Sequence, residues 1–272
     1  MNIFQFINMF ANEDALRVTG SRRESLEQFK KFGTNAALAA IPASILLTPQ
    51  KSSAAAAFTT AADTPITALQ LALTLEYLED EFYQTALDTI GLIPLGRERT
   101  VFAKIAQHES AHVTFLQNGL GADSIAKPNF DFTAGGLFSP FTNYGQFLAL
   151  AQAFEDTGVR AYKGQAGNLI TTPDLLQAAL QIHSVEARHA SEVRRIRLQK
   201  GWVQGNDRGG LPQQAQAVYD GEQNTNQAGF NTSTVNNGSL GPAIPATAGA
   251  ESFDEPLTGA EATAIASLFI GA

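Results

Sequence analysis

Apolar residues recur at three- and four-residue spacing over residues 181–196, QIHSVEARHASEVRRI, a pattern that predicts an amphipathic helix. Its buried stripe would run through Ile182, Val185 or Glu186, His189, Val193 and Ile196. Two of these positions are not apolar. Glu186 and His189 stand three residues apart, so they project from the same helix face. A carboxylate on a buried stripe is costly unless a charge of opposite sign compensates it, and a compensating group is therefore expected from elsewhere in the chain.

Three more predicted helices carry the same interruption. The first opens at Asp63-Thr64-Pro65, a polar cap followed by proline in the first turn, and stops at Gly91. Its stripe is Leu69, Leu73, Glu76, Tyr83, Leu87 and Ile90. Of the neighbouring acids Glu79 and Glu81, Glu79 can share that face. Glu76 is the preferred site residue, because Leu69, Glu76, Tyr83 and Ile90 fall on one heptad line. The second helix covers about 96–120, with the stripe Phe102, Ile105, Glu109, His112 and Leu116. The third covers about 144–169, on the heptad line Leu148, Glu155, Tyr162 and Leu169. The fourth begins at Thr172-Pro173 and ends before Gly201.

These helices form an internal repeat. A single glutamate is followed seven residues later by tyrosine in Glu76/Tyr83 and again in Glu155/Tyr162. A Glu-x-x-His pair follows in each half, Glu109/His112 and Glu186/His189, at 33 and 31 residues from the single glutamate. Residues 121–142, with Phe130, Phe132, Phe138 and Phe141, are too long and irregular for a tight turn and suit a crossover pinned along the bundle. The expectation is an all-α, pseudo-two-fold four-helix bundle over 60–202, with its long crossover between helices two and three. Beyond Trp202 the chain turns to Gly, Gln, Asn, Thr and Pro. Residues 203–272 read as an irregular extension, a loose wrap or a partner-binding segment, ending in a short amphipathic helix over 259–270 that presents Ile265, Leu268 and Phe269.

Residues 1–57 read differently again. Arg22-Arg23 and Lys30-Lys31 precede the nearly uncharged run 32–47 and the small residues 52–57, the order of an export signal. The paired arginines make it similar to a twin-arginine signal, although Ser25 stands where a bulky apolar residue is usual and about twenty residues precede the pair. Processing would then leave a mature chain starting near 54–58, in the periplasm or at the cell surface. The alternative is an N-terminal helix pair packed on the bundle. Pro42 and the alanines argue against a stable transmembrane span.

Composition narrows the chemistry. The net charge is −8, from 26 acids and 18 bases. No dense basic stripe lies outside the N-terminus, which excludes nucleic acid as the expected partner. With no cysteine among 272 residues there are neither disulfides nor thiolate sites, so any metal would be held by Glu, Asp and the four histidines. Six such residues converge in the expected bundle: Glu76, Glu109, His112, Glu155, Glu186 and His189. Two divalent cations would offset four carboxylates, and carboxylate with imidazole suits iron or manganese, zinc less specifically. Against this stands a buried salt-bridge network in which Arg160 and Arg188 pair with the acids. His108 and His183 fall off the stripes, as surface residues or as partners of the ligands. Tyr83 and Tyr162 are placed either to fill the core or to hydrogen-bond a ligand carboxylate.

The segments LEYLEDEFY (75–83), HESAH (108–112), AFEDTGVRAY (153–162), VEARH (185–189) and FDEPLT (253–258) together resemble the ferritin-like superfamily. Within it the chain is similar to exported bacterial ferritin-like domain proteins related to plant desiccation-related proteins, over about 60–270. All six ligand positions of that pattern are filled. The resemblance implies a dinuclear iron or manganese centre acting as an oxidoreductase on O2, peroxide or Fe(II) in stress protection. The other function it allows is a non-catalytic structural or stress-protective module that self-assembles as a homo-oligomer through its tail or N-terminus. Haem ligation by methionine is not expected, since the only methionines are Met1 and Met9. The bulky tail argues against packing into a hollow storage cage.

Overall fold

The computed structural model describes residues 64–235 and 244–271; the export-like segment 1–57 lies outside them. Four long helices form the body: α1 Pro65–Asp88, α2 Arg97–Leu120, α3 Tyr144–Gln165 and α4 Pro173–Ile196. A short fifth helix, α5 Gly259–Ser267, closes the tail. The all-α four-helix bundle with its long crossover expected from the pattern is the fold found. α1 packs along α2 and α3 along α4, the two hairpins meet chiefly through α1 and α3, and α2 touches α4 only sparingly.

Local chemistry sets the helix ends. Thr64 and Thr67 form a reciprocal capping box, and Pro65 takes the first helical position. Thr172 occupies the corresponding place before Pro173 but makes no cap: its hydroxyl donates to the Leu169 carbonyl at 3.0 Å instead. α3 is shorter than its heptad line, because the chain tightens into a 3₁₀ turn over Ala166–Leu169. Ile90 departs from the expected stripe. It lies past the end of α1, in the turn to Gly91, and is fully exposed.

Apolar clusters sit above and below the middle of the bundle. At one end Phe82, Phe102, Phe147 and Phe154 interlock with Phe132 and Phe138 of the crossover and Phe269 of the tail. The crossover is thus pinned by its phenylalanines as its length demanded, and the Phe130–Ile270 bridge ties it to the chain end. At the other end Leu69, Leu73, Leu116, Leu120, Leu169, Leu175 and Ile182 fill the core. The glutamates of the four helices form the polar layer between.

The tail is not loosely draped over its described length. Leu211, Ala215, Val218, Tyr219 and Leu257 bury against Leu71, Leu75, Ala153 and Ala161 of α1 and α3. No helix among the described residues is long and apolar enough to cross a membrane.

Candidate metal centre

Each bundle helix brings one glutamate to the central layer, and all four side chains are entirely buried: Glu76, Glu109, Glu155 and Glu186 have 0% exposure. α2 and α4 add His112 and His189 one turn on, since three residues advance the chain by nearly one turn. All six residues singled out by the pattern meet at this one place.

The imidazoles stand among the carboxylates. His112 Nδ1 lies 2.9 Å from Glu109 Oε2, 3.0 Å from Glu186 Oε1 and 3.1 Å from Glu76 Oε2. His189 Nδ1 lies 2.9 Å from Glu109 Oε1, 3.4 Å from Glu155 Oε2 and 3.5 Å from Glu186 Oε2. Glu109 and Glu186 therefore each turn one oxygen to either histidine. One nitrogen cannot donate to three acceptors. Glu109 Oε1, Glu155 Oε2, both Glu186 oxygens and His189 Nδ1 are buried without a well-formed hydrogen bond. Buried polar atoms are rarely left in this state, and lone pairs converging on a common point are what a cation requires.

Two groups of four ligand atoms result, each with its atoms within 4.8 Å of one another: Glu76, Glu109, His112 and Glu186, and Glu109, Glu155, Glu186 and His189. They share Glu109 and Glu186. Carboxylate and imidazole make a hard, nitrogen-containing donor set that fits divalent iron, manganese or zinc.

The tyrosines are committed to this layer, and they cross between the halves. Tyr83 of α1 donates to Glu155 Oε1 of α3 at 2.5 Å, and Tyr162 of α3 donates to Glu76 Oε1 of α1 at 2.5 Å. Each single glutamate thus keeps one oxygen held and one turned to the centre. His108 stacks on His189, and its Nδ1 lies 2.9 Å from His189 Nε2, which leaves His189 Nδ1 facing the carboxylates. His183 is occupied with the Val159 carbonyl at 3.0 Å.

The arginines do not neutralise the acids. Arg188 is exposed. Arg160 is buried but turns outward to the tail, donating to the carbonyls of Val218, Asp220 and Glu255 and pairing with Glu222. Without a cation, the protons of the site provide what compensation there is. Burial pushes the Glu76 carboxyl up to about 8, against the opposing pull of His112. Burial also raises Glu155, with Glu186 and Glu109 adding to the effect. For Glu186, burial is outweighed by His112 and His189, which bring it down to about 2. Burial by itself would lower both imidazoles, but the surrounding carboxylates hold them far above the usual histidine range.

One buried acid escaped the heptad argument. Glu79 is 2% exposed and is raised well above its ordinary value by burial and by Glu186, Glu155 and Glu109. Glu76, the residue preferred from the heptad line, belongs to one of the two ligand groups, and Glu79 is buried one turn further along α1. The signal was present, since Glu76 and Glu79 have the same three-residue spacing as Glu109 and His112.

A family model for the ferritin-like domain matches residues 64–199, the span from the cap of α1 to the end of α4. The chain belongs to the ferritin-like domain family. No curated protein and no solved structure matches it. The ferritin-like assignment and the buried acid and histidine groups agree: the layer where the domain's four helices meet is composed as a metal carboxylate site.

Proposed function

We propose that this ferritin-like protein is a dinuclear iron or manganese carboxylate protein that acts as an oxidoreductase on O2, peroxide or Fe(II). Glu76, Glu109, His112, Glu155, Glu186 and His189 would hold the metals, Glu109 and Glu186 being common to both ligand groups, with Tyr83 and Tyr162 orienting Glu155 and Glu76. The observation that carries this reading is the convergence of buried ligand atoms on two overlapping groups, five of those atoms without a hydrogen-bond partner: Glu109 Oε1, Glu155 Oε2, both Glu186 oxygens and His189 Nδ1. When bound, the two metals would supply the redox chemistry.

The protein's own part is positional. The tyrosines fix the outer oxygens of Glu76 and Glu155, and His108 sets the orientation of His189. The phenylalanine cluster keeps water from one end of the layer. Of the six, only the histidines keep accessible side-chain surface, 12% for His112 and 6% for His189 against 0% for the glutamates, so small reactants would approach past α2 and α4, the helices that carry them.

The test is elemental analysis of protein purified from its own host, followed by Fe(II) and peroxide turnover by wild type and Glu109→Ala. Two equivalents of iron or manganese with turnover abolished in the variant is the expected result. Metal without turnover would leave the stress-protective structural module, and no metal would remove the premise of both. The twin-arginine reading of residues 1–57 belongs to the same proposal, because that route exports folded protein and would let metal be loaded beforehand. Mass spectrometry of the mature protein should find its N-terminus near residues 54–58, and recovery of residues 1–50 would rule out cleavage.

A further inference from the structure

The two halves of the centre repeat until one turn past the single glutamates, where they part. α1 carries Glu76, Glu79 and Tyr83, while α3 carries Glu155, Gly158 and Tyr162 at the same intervals. Glu79 is 2% exposed and forms no hydrogen bond or ion pair with any described residue. Gly158 lies inside α3, where its backbone is helical and glycine costs about 1 kcal/mol relative to alanine. A Cβ at position 158 would lie 3.5 Å from Glu79 Oε1, 3.7 Å from Glu186 Cγ and 3.9 Å from Glu186 Oε2. The Glu79 carboxylate thus reaches across to α3 at the same point as the carboxylate of Glu186. An alanine there would meet both side chains at ordinary van der Waals distance.

Two unfavourable choices meet at this spot: a buried carboxyl without a partner, and a glycine within a helix. Apolar packing does not explain the carboxyl, because leucine or methionine at position 79 would fill the space at lower cost. It is explained if the oxygen has a cation to bind. We infer that Glu79 is a seventh protein ligand of the dinuclear centre, an oxygen donor supplied by one half only, where the other half has Gly158. The two metal positions are then chemically unequal despite the pseudo-symmetry of the helices. This rests on the reading of the six residues as a metal centre.

The experiment titrates metal-free full-length protein with Co(II) alone, by calorimetry and by visible absorption, which reports coordination number and geometry. Wild type should take two Co(II). Glu79→Gln should bind one of them at least ~10-fold more weakly, with altered visible bands, while its metal-free form melts no lower than wild type. Glu79→Met, of similar volume, should behave alike. Wild-type affinities and bands in both variants would overturn the inference while leaving the six-residue centre standing. Weakened binding accompanied by a lower melting point of the metal-free variants would also overturn it, by making Glu79 a packing residue. Failure of wild type to bind Co(II) would overturn the reading of the centre itself.

Discussion

Tyr162 and Tyr83 decide how free the single glutamates are. A buried carboxylate with one oxygen held at 2.5 Å by a phenol can swing only about that anchor, so its second oxygen is presented in a narrow range of positions. Tyr162→Phe removes the anchor from Glu76 without opening a cavity. Such outer partners are worth about 10–100-fold in metal affinity. The expected outcome is a loss of that size in a chelator competition assay, confined to the ion bound by Glu76, with the helical content unchanged. Wild-type affinity for both ions in the variant would mean that the tyrosine only fills space. Because the tyrosines cross from one hairpin to the other, each also couples the position of one single glutamate to the helix bearing the other.

Among the elements, α3 has two functional faces. One carries Glu155 and Tyr162 inward. The other carries Asp156 and Arg160 toward the tail, where Asp156 pairs with Arg194 and accepts from the Tyr219 hydroxyl at 2.6 Å. Arg160 ties down both ends of the strap, around Val218–Glu222 and at Glu255, and its own carbonyl accepts from Leu257 N at 3.0 Å. Gly164 permits that approach: a Cβ there would fall 1.8 Å from the Leu257 carbonyl oxygen, a backbone atom that cannot turn aside. Gly164→Ala should therefore lift residues 253–258 from α3. The expected loss is roughly 1–3 kcal/mol in denaturant unfolding, the range for overpacked sites, together with faster proteolysis within the tail. Unchanged cleavage would show that the strap finds another seat. The FDEPLT segment is thus a clamp on the helix that carries Glu155, which gives its place in the resemblance a physical meaning.

At the scale of the whole molecule, the centre makes stability depend on pH in opposite senses with and without metal. In the metal-free protein Glu76 is raised from 4.5 to about 8. Its contribution is full below the unfolded value near 4.5 and is lost as pH rises toward 8. The raised histidines contribute fully below about 6.5 and decline above it, in the same direction. Glu186, lowered to about 2, acts only at the acid end, where its contribution is lost as pH falls through that value. Metal requires these groups deprotonated, so binding releases protons and strengthens as pH rises. The metal-free melting temperature should fall between pH 5 and pH 8, by on the order of 5 °C, while the stabilisation added by Mn(II) grows over the same interval. Calorimetric scans of both forms check this, and a metal-free protein more stable at pH 8 than at pH 5 would contradict it.

Sequence alone determined the helices, their pairing into a repeat and the six residues at their centre, because a helix writes its buried face into the chain at a fixed period and a charged residue on that face is conspicuous. It favoured Glu76 over Glu79 and did not show that Glu79 is buried as well. The heptad line favours one residue per two turns, whereas the inward surface of a helix in a bundle is wide enough for both. Nor did it decide the fate of Arg160, which the chain places near the acids and the fold turns toward the tail. The crossing of the tyrosines, the stacking of His108 on His189, the seat of the tail and the approach of Glu79 to Gly158 all depend on how helices distant in sequence are set against one another. Those relations came only with the tertiary structure, since no local period encodes the distance between two side chains on different helices.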